Sequence, residues 1–159
     1  MCKSKTKEAR QFLSKPQKID AMIKNKLIEK EQWKSIASGS TAQQNGERVQ
    51  ASGSQQRMAD AVNRYIDIEA EIDACIDSLI DAKNDVIKVI EQLELDEYDV
   101  LHKMYIQYHT FYEVADMCER SYSWVTHVHG QALWKVQRIL DERGNNERGR
   151  KGMLGTPGI

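Results

Sequence analysis

A chain of 159 residues, with 40% apolar and 30% charged side chains, can bury one modest core and must leave long stretches of helix exposed. No run of about 18 apolar residues occurs, which excludes a membrane-spanning helix, and the opening MCKSKTKEARQF lacks the apolar centre of a secretion signal. The net charge of −1 conceals a lysine-rich start and an acidic middle, two segments of opposite sign that attract one another.

Pro occurs twice and most Gly lies in two places, so the composition favours helix and an all-α fold is expected. Cys2, Cys75 and Cys118 are odd in number and far apart, as free thiols of a reducing cytoplasmic compartment would be. A first apolar stripe, Ile19, Met22, Ile23, Leu27, Trp33 and Ile36, predicts a helix over about 16–37. Pro16 suits its first turn, Ser14 is a candidate cap, and the preceding TKEARQFL forms a separate helical turn. The stretch SGSTAQQNGERVQASGSQ has too few apolar groups to offset its ordering entropy, which predicts a flexible loop over 38–55.

Over about 56–94 the apolar residues Met58, Val62, Tyr65, Ile72, Ile76, Leu79, Val86, Ile90 and Leu93 alternate in steps of three and four. That is one seam of a long helix, interrupted by Glu69 and Lys83 and widened by Ile66, Ile68, Ile80, Ile87 and Val89. Helix, polar loop and helix predict a long antiparallel hairpin spanning 5–94, in which charge selects the pairing and the seam supplies stability. The acidic face of the second arm repeats as a solvated helix face does. No Gly-rich phosphate loop, nucleophile elbow or zinc motif accompanies it, so no catalysis and no cofactor are expected.

A third helix, about 96–107, presents Val100, Leu101, Met104 and Tyr105 on one side. Thr110-Phe111-Tyr112-Glu113 is a capping-box pattern that starts a short helix with Val114, Ala115 and Cys118 inside, and Ser121 caps a longer one carrying Val125, Val128, Ala132, Leu133, Val136, Ile139 and Leu140. This is a helix-turn-helix layout over 96–142. Small Ala115 lets the helices approach and Val125 fills the space between them. Tyr122, Ser123, Trp124, Thr126, His127 and Gln131 then face outward, able to meet base edges or phosphates in a major groove. His127 and His129, two residues apart, point to different sides, so a metal site is not expected and His129 reads as a packing or hydrogen-bonding residue. The end, RGNNERGRKGMLGTPGI, predicts a disordered basic tail over 143–159.

The segment TFYEVADMCERSYSWVTHVHGQALWKV resembles the helix-turn-helix of bacterial sigma-factor region four. Residues 5–142 as a whole resemble small phage proteins of Gram-positive hosts related to the ArpU and RinA late-operon transcriptional regulators. The resemblance implies a double-stranded DNA-binding regulator of phage transcription. Its base-reading residues would be Tyr122, Ser123, Trp124, Thr126 and His127, with Gln131 and Lys135 further along the helix. Two departures from the sigma-like pattern stand out. The turn position that often holds Gly is Glu119, and the start of the reading helix lacks the Arg residues of sigma factors. Phosphate contacts must then come from Arg120, Lys135, Arg138, Arg143 and the tail, helped by a homodimer or by RNA polymerase. Two further readings are a protein-binding helical adaptor working through the Met58–Leu93 seam and a DNA-recognition subunit of phage packaging.

Overall fold

The computed structural model describes residues 5–39 and 51–153. Cys2, most of the expected loop and residues 154–159 of the expected tail lie outside the described residues. Among these residues every regular element is helical, as the composition demands. The elements are α1 (Lys7–Ala37), α2 (Ala51–Ile90), α3 (Leu95–Leu101) running into a π-helical turn (His102–Ile106), α4 (Phe111–Met117) and α5 (Tyr122–Met153).

Several boundaries differ from the sequence expectation. Helix α1 begins at Lys7, with Pro16 in its interior rather than its first turn, and Ser14 donates to the Arg10 carbonyl at 2.6 Å as a mid-helix residue instead of capping. An interior Pro costs about 3 kcal/mol. Ala9, Leu13 and Pro16 are fully buried, and that burial outweighs the penalty. Helix α2 begins at Ala51, inside the stretch expected as loop, and ends at Ile90, where Gln92 and Leu93 donate to the Val89 and Ile90 carbonyls in a closing turn. Helix α5 carries residues 143–153 of the expected disordered tail. Extending a formed helix adds one hydrogen bond per residue without a new nucleus, so this stretch stays helical although residues 141–152 are all exposed.

The chain divides into two compact units, residues 18–81 and residues 1–17 with 82–159. In the first, Ile23, Ile68 and Ile72 are buried together, with Ile19, Trp33, Cys75 and Leu79 packed against them. Ion pairs fix the antiparallel sense. Lys26 binds Glu71 at 2.5 Å, Lys30 binds Glu69 at 2.9 Å, and Arg64 bridges Glu29 and Glu71 at 3.0 and 2.9 Å. The Lys26 hydrogen bond, then that of Arg64, holds the Glu71 carboxyl below the ordinary carboxylate range. The lysine-rich and acidic arms thus pair as their charges predict.

In the second unit the first turns of α1 supply Ala9 and Leu13 to a core made with Val86, Val89 and Ile90 of α2, Leu101 of α3, and Ala132, Leu133 and Val136 of α5. Buried Gln137 accepts from the Ala9 amide at 3.0 Å and donates to Asp141 and Glu8, so an α5 side chain satisfies a first-turn donor of α1 that has no partner in its own helix. Replacing Leu13 by Ala should lower stability by about 2 to 5 kcal/mol in denaturant unfolding, the cost of a core cavity. A loss below about 1 kcal/mol would show that the α1 start lies outside the core.

Candidate nucleic-acid interface

Local hydrogen bonds build the α4–α5 pair. Thr110 accepts from the Glu113 amide at 3.3 Å while the Glu113 carboxylate accepts from the Thr110 amide at 2.7 Å, so the capping box forms as the pattern predicts. Those contacts, the Thr110 amide first, hold the Glu113 carboxyl below its usual range. Ser121 accepts from the Trp124 amide at 3.1 Å and its carbonyl from Val125, which starts α5. Val100, Val114, Ala115, Val125 and Val128 bury one another between α3, α4 and α5, with Met104, Phe111, Cys118 and Trp124 packed around them. The turn passes through Glu119 at φ 52°, the left-handed conformation that the missing Gly would adopt without strain. Glu119→Gly should therefore raise stability by roughly 0.5 to 1 kcal/mol in denaturant melts, and an unchanged or lowered midpoint would mean the Glu119 side chain offsets its strain.

The expected reading residues divide into two groups. Tyr122, Ser123, His127 and Gln131 are exposed on α5. Trp124 and Thr126 are half-buried. The Trp124 ring packs on the valine cluster under the Arg120 guanidinium, 5.1 Å from its centre, and the Thr126 hydroxyl donates to the Ser123 carbonyl at 2.9 Å. Lys135, exposed at 45% of its side chain, binds the buried Glu97 carboxylate at 2.8 Å. Glu97 also accepts from the Glu94 amide at the start of α3. The Lys135 charge is therefore committed within the protein, while Arg120, Arg138 and Arg143 are exposed.

Two exposed aromatics extend the surface beyond the expected residues. Tyr112 is 70% exposed and lies 4.7 Å, centre to centre, from the Tyr122 ring, which also meets Phe111. Trp134 is 43% exposed, seven residues beyond His127 and three beyond Gln131, the spacing of one helix face. That spacing is present in the sequence, where Trp134 follows Gln131 by three residues, yet Trp134 belongs to neither the inner face nor the reading face expected there. Three exposed carboxylates, Glu113, Asp116 and Glu119, stand on and just after α4.

The four imidazoles go to separate surroundings. His127 is exposed, His102 pairs with Gln107, His109 lies 3.8 Å from Glu113, and His129 is buried. His129 Nε2 hydrogen-bonds the Tyr105 hydroxyl at 2.8 Å, with its ring stacked on Tyr105 and edge-on to Phe111, the packing role its position predicts. Tyr105 reaches it from the π-helical turn, which His109 and Gln107 close by donating to Lys103 and His102 carbonyls. The Cys118 thiol donates to Asp99 at 3.5 Å, and burial, then that carboxylate, pushes it above the usual thiol range, away from nucleophilic use.

Burial, then the Arg10 charge, lowers His129 from 6.5 to about 4, so the folded protein holds it neutral. Between those values the unfolded chain binds the extra proton. The contribution is therefore complete above pH 6.5 and is lost as pH falls toward 4, a change of about 3 kcal/mol. Denaturant melts from pH 7 to pH 4 should show that decline, and His129→Gln should flatten it; an equal decline in the variant would assign it to other groups.

Compared with protein-family models, curated proteins and solved structures, the chain matches none. No helix among the described residues is long and apolar enough to cross a membrane.

Proposed function

We propose that the protein is a DNA-binding regulator of phage transcription, with α5 lying in a major groove from Ser121 onward. The observation that supports this most is the capped, tightly packed α4–α5 pair, with Ser123, His127, Gln131 and Trp134 along one outward side of the second helix. Imidazole and amide groups hydrogen-bond base edges, and an exposed indole or phenol ring packs on a thymine methyl. Resemblance of the same segment to sigma region four, and of the chain to late-operon regulators, supplies the transcriptional context.

The acidic residues around α4 and the commitment of Lys135 to Glu97 keep the electrostatic part of the affinity small. Arg120, stacked on Trp124, carries the phosphate contacts together with Arg138 and Arg143. A single copy binds DNA weakly, and sequence preference rests on the neutral side chains.

Fluorescence polarisation against duplexes covering phage late promoters should give salt-sensitive, sequence-preferring binding. His127→Ala and Gln131→Ala should each weaken the preferred site by about 1 to 3 kcal/mol, with less effect on unrelated duplex. Binding that is absent, or equal for both variants and the parent, rejects this docking. The adaptor reading draws on a different surface, the apolar side of α2.

A further inference from the structure

The two flanks of the unit formed by residues 18–81 are built differently. One is closed by the Lys26–Glu71–Arg64–Glu29 network. On the other, α2 presents Val62, Ile66, Ile76 and Ile80, each between 40% and 56% exposed, with Met58 a turn earlier. Steps of four, three, four, three and four through Val62, Ile66, Glu69, Asp73, Ile76 and Ile80 place all six within one stripe, so Val62 and Ile76, expected on the same seam as the buried Ile72, lie instead on a second, open one. Leu27 of α1, 46% exposed, turns about 100° away from Lys26 and its ion pair. Two exposed apolar pairs on one helix face, with Glu69 and Asp73 between them, mark a docking surface.

The stripe reads the same in both directions about residue 71. Val62 and Ile80 are equidistant from that point, as are Ile66 and Ile76, and Glu69 and Asp73. Such a pattern is complementary to itself under a two-fold axis, the requirement for an isologous dimer. From this we infer that the occupant of the stripe is a second copy of the chain, with the two α2 helices antiparallel and centred on residue 71. Val62 then packs on the partner's Ile80 and Ile66 on the partner's Ile76. Near the axis Glu69 faces the partner's Asp73, and Lys30, 2.9 Å from Glu69, offsets that repulsion. Residues 62–80 span about 27 Å and the hairpin is about 20 Å wide, so each copy covers roughly 500 Å². The total of about 1,000 Å² reaches the lower limit of specific interfaces and fits a dimer of micromolar strength.

The inference is independent of DNA binding and is tested without DNA. Sedimentation of the full chain at rising micromolar concentration should show monomer giving way to dimer, and Ile66→Asp should leave monomer while helicity by circular dichroism is unchanged. Register is read by cysteine pairing in a chain with Cys2, Cys75 and Cys118 replaced by Ser. Cysteines at positions 66 and 76 together should give a covalent dimer on mild oxidation, whereas either alone should not, because like positions then lie about 15 Å apart and a disulfide needs Cα atoms within about 7 Å. Within one chain the two positions are equally far apart, so any bond is between copies. A chain that stays monomeric, a dimer that Ile66→Asp leaves intact, or a covalent dimer from cysteine at position 66 alone would each overturn the inference.

Discussion

The insertion of Ala9 and Leu13 between the end of α2 and the inner face of α5 is the constraint on which the helix-turn-helix region depends. Helix α5 turns Ala132, Leu133 and Val136 inward. Helices α3 and α4, at seven residues each, are too short to cover that face and are marginal alone. The first turns of α1 complete the cover, and Gln137 fixes their position by accepting from Ala9. Leaving a buried donor without a partner costs about 1 to 3 kcal/mol, so one polar side chain couples positions 128 residues apart.

The candidate interface follows from that packing. With one side of α5 held against α1, α2 and α3, the opposite side is left to Ser123, His127, Gln131 and Trp134. The Lys135–Glu97 pair and the Arg120–Trp124 stack sit at its edges, one drawing a cation inward and the other holding a cation on an aromatic ring. The surface is consequently polar and aromatic more than basic. Such a face favours discrimination by direct contact over attraction at a distance.

Local patterns were legible in the sequence because each is decided within a few residues. The Thr110–Glu113 box and the Ser121 cap are of this kind. Pro16 misled the start of α1, since its local meaning is a first turn and only distant burial of Leu13 explains a helix running through it. Gln137 gave no signal, because a buried amide becomes informative only when its partner, far away in sequence, is known. The terminal turns of α5 were read as disorder from their Gly and charge, a property of isolated segments that does not hold for residues continuing a helix already formed. Trp124 and Trp134 illustrate the same limit at the interface: both are aromatic residues of one helix, and tertiary neighbours decide that the first packs inward while the second faces solvent.

The division of the chain has a consequence for the order in which it comes off the ribosome. Residues 18–81 form one unit from a single uninterrupted stretch, so their pairing can begin as soon as that stretch has emerged. Residues 7–17 emerge earlier still, yet their burial requires α5, which is made after α2, α3 and α4. The apolar side chains of Leu13 and Phe12 must therefore wait without their α5 partners while the intervening helices are made. The closing event is a late union of α1 with α5, and long-range closure of that kind is intrinsically slow.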